Sequence, residues 1–266
     1  MRIGVFGLGR FGAFWASVLS RRFDVVAYDI DLDRAAPIGV GRVPFADLAD
    51  CDTIFLCVSI RAIPEVLRNL SGILKPETLI ADTCSVKIAP ARWMLEILPS
   101  GIRILATHPM FGPESAKNGL EGLPIMMDPI RCDEERTAFW KEAFSSFGLS
   151  VVHMNCDRHD REAAYSQALT HFVGRSLHRV GLTDTDIATR WYRNLHGVVK
   201  QCVRDAPTLF EDMQNFNPYA AEMRKRVMTA FRDTLEDLED RLSVQTDPYL
   251  DESAPAPLHS TEGAAR

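Results

Sequence analysis

The sequence predicts an α/β domain built on a mainly parallel sheet, followed by an all-helical domain. Two observations carry this. Short apolar runs of strand length alternate with amphipathic stretches as far as about residue 155, the pattern of successive βαβ units. Beyond Asp157 the β-branched clusters thin out and long helix-forming segments take over.

The strand runs are RIGVFG (2–7), DVVAYD (24–29), TIFLCVS (53–59), TLIADT (78–83), RILATH (103–108), LPIMMD (123–128) and LSVVHM (149–154). FGAFWASVLSRR and RAIPEVLRNLSGIL are helical links between early strands. The later runs have less helix between them, so an antiparallel addition is expected at that edge. Pro109 and Pro113 shape the loop after the fifth run, HPMFGPES, and exclude a regular helix or central strand there. DRHDREAAYSQALTHFVGRSLHRVG predicts one long helix stopped at Gly181. MRKRVMTAFRDTLEDLEDRL predicts another, with Val227, Phe231, Leu235, Leu238 and Leu242 on one face. The segment after about residue 245 is polar and proline-rich, the composition of a disordered tail. The expected domains are therefore 1–155 and 156–244, with a tail over 245–266.

Composition narrows the function. The 266 residues are 46% hydrophobic and 25% charged, with a net charge of −6. That balance argues against nucleic-acid binding, which needs a basic surface. No apolar run approaches the ~20 residues of a membrane span, and the strand pattern begins at Arg2, so no signal peptide is expected. Six scattered cysteines without a CxxC pair read as reduced thiols of a cytoplasmic protein and offer no metal site.

GLGRFG sets Gly7, Gly9 and Gly12 in GxGxxG spacing between a strand and a helix, and the second strand ends at Asp29. This is the Rossmann-type arrangement for a dinucleotide. Gly7 allows a tight turn, Gly9 a close approach to pyrophosphate, and Gly12 helix–strand packing, with Leu8, Arg10 and Phe11 between them. Arg10 reads equally as a pyrophosphate contact or a solvated side chain. Asp29 suits the ribose hydroxyls of NAD and repels the 2′-phosphate of NADP; Arg34 is the nearest arginine after it. Val58 and Ser59 end the third strand and are expected to line the cofactor crevice.

Two later strand ends carry polar groups: Ser85 and Lys87 after TLIADT, and His108 after RILATH. A serine and a histidine beside a hydride acceptor point to oxidation of an alcohol with base assistance.

GLGRFG, DTCSVK (82–87), HPMFGPES (108–115) and HDREAAYSQALTHF (159–172) together resemble the prephenate dehydrogenase family, which includes arogenate-using enzymes. The resemblance covers residues 1 to about 240. It implies NAD-dependent oxidative decarboxylation of prephenate in tyrosine synthesis, with arogenate or an amino-substituted prephenate as alternatives. It implies His108 as the group that takes the C4 hydroxyl proton and Ser85 as its orienting partner. His171 matches a family histidine in the substrate pocket at the domain interface, and His159 a position of structural character. The arginine that clamps the substrate side chain in many members falls at Gln201 here, leaving Lys200, Arg193, Arg190 and Arg204 as nearby substitutes. The resemblance also implies a homodimer intertwined through the helical domain. A rival of another class is a non-catalytic dinucleotide-binding regulatory protein, which would bind NAD without turnover.

Overall fold

The computed structural model describes residues 1–242; the expected tail over 245–266 lies outside them. The described chain divides into two compact units. One is Met1–Ala163 together with Glu211–Pro218, the other Ala164–Phe210 together with the chain from Tyr219 onward. No single cut separates them, because Glu211–Pro218 folds with the first unit.

The first unit holds an eight-stranded sheet. Its strands are β1 (Arg2–Phe6), β2 (Asp24–Tyr28), β3 (Gly41–Arg42), β4 (Thr53–Leu56), β5 (Leu79–Asp82), β6 (Arg103–Pro109), β7 (Pro124–Arg131) and β8 (Ser150–His153). Their spatial order is β3-β2-β1-β4-β5-β6-β7-β8. Pairing is parallel from β3 through β6, antiparallel between β6 and β7, and parallel again to β8. The reversal after β1 is the switch point at which such sheets open a crevice beyond their strand ends. All seven expected runs form strands. The eighth, β3, has two residues and no apolar run to announce it.

Helices α1 (Arg10–Leu19), α2 (Ile63–Ser71), α3 (Ile88–Ile97) and α4 (Glu134–Ser146) supply the links. Strands buried on both faces explain the near-continuous apolar runs: every residue of β4 and β5 is buried. One face is filled by aromatics, with Trp15, Phe55, Trp140 and Phe144 in mutual ring contact. The other packs Leu48, Ile54, Leu56, Ile63, Leu67 and Ile80.

β6 runs one residue further than the sequence predicts, to Pro109. β5 pairs with β6 only as far as Ala106, so the last residues of β6 are flanked by β7 alone. A proline there removes no ladder bond on the β5 side.

The helix after β8 starts as α5 (Cys156–Ala163), passes through a π-helical turn (Ala164–Ala168) and continues as α6 (Leu169–Val180). Gly181, in the left-handed region at φ 81°, ends it at the expected residue. The second unit adds α7 (Arg190–Arg204), capped by the Thr189 side chain accepting from Tyr192 N–H, the first residues of α8 (Pro207–Phe216), and α9 (Ala220–Leu242). Its small core joins Ala164, Ala168 and Met223 with Phe172, Tyr219 and Val227. Among the described residues no helix is long and apolar enough to cross a membrane.

Candidate active site

The turn after β1 has the shape a dinucleotide needs. Gly7 has φ +102°, and a Cβ there would lie 2.5 Å from the Cys57 carbonyl oxygen. A Cβ on Gly12 would lie 1.9 Å from the Gly7 carbonyl oxygen, so α1 packs against the turn only through glycine. Gly9 faces an open side, where an added Cβ would meet only the Arg34 guanidinium at 3.1 Å. Asp29 is buried; its carboxylate accepts from Leu8 N–H at 2.5 Å and from Asp31 N–H at 2.8 Å. Each carboxylate oxygen keeps a further lone pair for a ribose hydroxyl. A free helix start, a glycine cradle and an acid at the end of β2 fit a nicotinamide dinucleotide.

The rest of the motif divides in two. Leu8 and Phe11 turn their side chains inward, Phe11 stacking on Trp15 at 6.0 Å, so only their backbone faces the turn. Arg10 is half exposed and pairs with Glu114 at 3.1 Å, tying α1 to the loop after β6. Val58 packs on Gly7, and Ser59 precedes a short 3-10 turn (Ile60–Ala62). Arg34 reaches to 3.7 Å from the Asp29 carboxylate. Arg42 donates to the carbonyls of Asp29, Asp31, Leu32 and Arg34, which holds this loop in shape.

A second cluster is built at the ends of β5 and β6. His108 is buried, and its Nδ1 lies 2.8 Å from His159 Nε2. His159 Nδ1 in turn lies 2.9 Å from Asp160 Oδ1. Asp160, fully buried, accepts from the backbone N–H groups of Lys87 at 2.7 Å and Ile88 at 2.8 Å, so it also caps α3. Beneath these lies an ion pair with no exposure on either side: Lys87 donates to the Asp82 carboxylate and to the Thr107 carbonyl. Burial, aided by the neighbouring Lys87 ammonium, pushes the His108 pKa well below 6.5. His108 is therefore neutral near pH 7, the state a general base requires.

Ser85, expected to orient His108, does not hydrogen-bond to it: its buried Oγ has no partner, while His108 Nδ1 is engaged by His159. Lys87, read from sequence as a loop residue at the crevice, is instead wholly internal. His159, expected to have a structural role, is the hydrogen-bond partner of His108. The HD dipeptide that carries it was visible, but nothing in its spacing ties residue 159 to residue 108.

In the second unit His171 is buried on α6, with Nε2 3.7 Å from Asp205 and a buried Nδ1 that has no partner. Burial lowers its pKa, Asp205 opposes that shift, and Arg175 adds to it. Gln201 donates its amide to both carboxylate oxygens of Asp205, at 3.3 and 3.4 Å. Arg175, one turn after His171, donates to the Asp205 carbonyl at 2.8 Å and lies over the Phe210 ring at 4.9 Å. The substitutes expected for a substrate clamp are elsewhere. Lys200 pairs with Asp184 at 2.8 Å and Arg193 with the Ala188 carbonyl at 2.5 Å, both exposed. They are seven residues apart on the exposed side of α7, beside a buried face of His196, Val199 and Cys202. The cation beside Gln201 and Asp205 is Arg175, detectable only as the i+4 neighbour of His171.

Comparison with known proteins gives this arrangement relatives. Residues 23–151 match the family model described as the nucleotide-binding domain of prephenate dehydrogenase, and residues 176–248 one described as the TYRAAT1-like C-terminal domain. Arogenate dehydrogenase 1, chloroplastic, of Arabidopsis thaliana is 36% identical over 96% of this chain and 42% of its own length. Arogenate dehydrogenase 2, chloroplastic, of the same plant is 34% identical over 92% of this chain and 72% of its own. The chain thus spans under half of the first relative and about three quarters of the second. The crystal structure of prephenate dehydrogenase from A. aeolicus with hydroxyphenyl propionate and NAD+ shares the fold, with a TM-score of 0.70 at 21% identity over 92% of this chain and 91% of that one.

Proposed function

Because the chain belongs to the prephenate dehydrogenase family, we propose that it oxidatively decarboxylates a cyclohexadienyl substrate, taking arogenate to tyrosine in preference to prephenate to 4-hydroxyphenylpyruvate. The observation that carries the reaction is His108, a neutral imidazole buried at a strand end on the cofactor-binding unit. His108 takes the proton of the C4 hydroxyl as hydride leaves C4. The bond from the ring to its carboxylate then breaks, CO₂ departs, and the electron pair completes the aromatic ring. Loss of CO₂ is driven by aromatisation, so the protein has only to position the ring and accept the proton. The nicotinamide dinucleotide, when bound, supplies the hydride acceptor; the Gly7–Gly12 turn and Asp29 are the residues that would hold it. Ser85 Oγ, buried without a partner, is a free donor and acceptor for a bound group.

The preference for arogenate rests on charge. Its side chain bears an ammonium and a carboxylate, whereas that of prephenate bears a keto group and a carboxylate. Within the helical unit, Asp205, held by Gln201 and flanked by His171, is an anion that suits an ammonium, and Arg175 is a cation that suits a carboxylate. Asp29 favours NAD, and Arg34 is the residue through which NADP would be tolerated.

Pairing of two chains through the helical unit is supported by an apolar stripe on α9, where Met228, Phe231, Leu235 and Leu238 are each more than half exposed. One assay tests the reading: formation of the reduced cofactor from arogenate and prephenate, each with NAD and NADP. Higher kcat/KM for arogenate with NAD is expected. Absence of turnover with every pair, with cofactor still bound, would leave the non-catalytic reading instead.

A further inference from the structure

We infer that Asp160, acting through His159, fixes His108 in the tautomer with hydrogen on Nδ1 and a bare Nε2, so that Nε2 is the base. The inference rests on His108 being the proton acceptor, as proposed above, and follows from a chain of contacts with a defined direction. Asp160 lies beside His159 Nδ1 at 2.9 Å. A carboxylate only accepts, so the hydrogen there belongs to His159. A neutral His159 with hydrogen on Nδ1 has a bare Nε2, and this atom lies 2.8 Å from His108 Nδ1. A hydrogen bond at that distance needs one hydrogen, and only His108 can supply it. His108 Nε2 is then bare, and it has no hydrogen-bond partner among the described residues.

Asp160 already accepts two backbone N–H groups at the start of α3, and its carbonyl accepts the Asn217 amide at 2.8 Å. Its charge is thus partly offset by helix-terminal amides without a cation on the ring. Lys87 and Asp82 neutralise one another beside the pair. Every member of the chain is at least nine-tenths buried, so no side chain can swing away to change the hydrogen's direction.

Proton transfer to Nε2 would leave His108 as an imidazolium whose Nδ1–H is still donated to His159 and, beyond it, Asp160. No further hydrogen has to move. His159 and Asp160 are positioning residues: they touch neither substrate nor cofactor in this scheme, and they determine which nitrogen is available.

Imidazole ¹⁵N NMR of the full chain, read beside steady-state kinetics, tests this. Unsubstituted protein is expected to show His108 with Nδ1 protonated and Nε2 bare. His159→Phe removes the acceptor, so the His108 hydrogen should move to Nε2, with kcat falling ~10²-fold or more, as for a base in the wrong tautomer. KM and cofactor affinity should stay within about threefold, since binding groups are untouched. His159→Gln sets an amide oxygen near the former Nε2 and should restore both the native tautomer and most of kcat. An Nε2–H tautomer in the unsubstituted protein would overturn the inference. So would loss of kcat in His159→Phe with the His108 tautomer unmoved, which is what a packing role predicts. If His159→Phe does not fold, the unsubstituted tautomer and His159→Gln still decide. The NMR reading needs no substrate: a native Nδ1–H signal in a protein that turns over neither cyclohexadienyl acid would reject the proposed function and leave the relay standing.

Discussion

His108 and His171 are both buried in this chain, and their settings differ. His108 ends a strand of the sheet, and its Nδ1 is engaged by a second histidine that is itself anchored to a helix-capping carboxylate. His171 sits on a helix, with one nitrogen buried without a partner and the other 3.7 Å from Asp205, beyond hydrogen-bond range. Burial depresses both pKa values. The first arrangement is closed on one side and directs a single nitrogen; the second is open at both and can adapt to what it binds. Under the proposed function, the contrast is that between a group that performs chemistry and one that recognises a ligand.

The sharpest test of that contrast is His108→Asn, which keeps a polar side chain and removes the base. kcat should fall ~10²–10⁴-fold with cofactor affinity retained. The pH profile gives the same answer without mutation. In the proposed reaction neutral His108 is the active form; its pKa is depressed, so activity should persist as pH drops through 6.5 and be lost only below it. An acid limb at or above 6.5 would mean that another group titrates.

Next in size is the foundation of the His108 site. Lys87→Met leaves Asp82 as an unpaired charge with no exposure. Breaking such a pair should cost about 3–5 kcal/mol in unfolding free energy measured with urea, and replacing both residues by apolar ones should recover much of it. The same removal of charge in the second unit, Lys200→Met, should change stability far less, because its partner Asp184 is exposed. Equal effects would erase the distinction between the buried pair and the surface one.

How far these two regions could be read from sequence differs for physical reasons. Strands buried on both faces announce themselves as apolar runs, and the ends of parallel strands are where ligands bind, so His108, Asp29 and the glycine turn were legible. β3 was not, since two residues, Gly41 and Arg42, form no pattern. Asp160 and His159 were not, because they come to His108 only through the tertiary fold. On α7 the chosen cations, Arg193 and Lys200, belong to the exposed side of a helix whose buried side is marked by His196, Val199 and Cys202. The family resemblance points to Gln201 but carries no information about Asp205 or Arg175, which Gln201 and His171 adjoin.

Asp205→Asn tests the recognition half of the contrast. An amide keeps the shape and removes the charge, so only a cationic ligand group should respond. The ratio of kcat/KM for arogenate to that for prephenate should fall by ~10–100-fold, as expected when a charge-assisted hydrogen bond of about 1.5–3 kcal/mol is lost. A uniform loss for both substrates would assign Asp205 to the architecture of the helical unit rather than to choice of substrate.

The smallest effect should come from His171 itself. His171→Asn shortens the side chain and leaves Asp205 with its Gln201 contact. A residue that recognises should raise KM, by roughly tenfold, while kcat stays within about threefold, because binding is lost equally from ground and transition states. A residue that does chemistry should lower kcat as steeply as His108→Asn. Steady-state parameters for the two variants, measured side by side with the same substrate, decide it. If kcat collapses in both, the buried and unpaired Nδ1 of His171 is a second reacting group, and the division between a chemical unit and a recognition unit fails at the residue on which it depends.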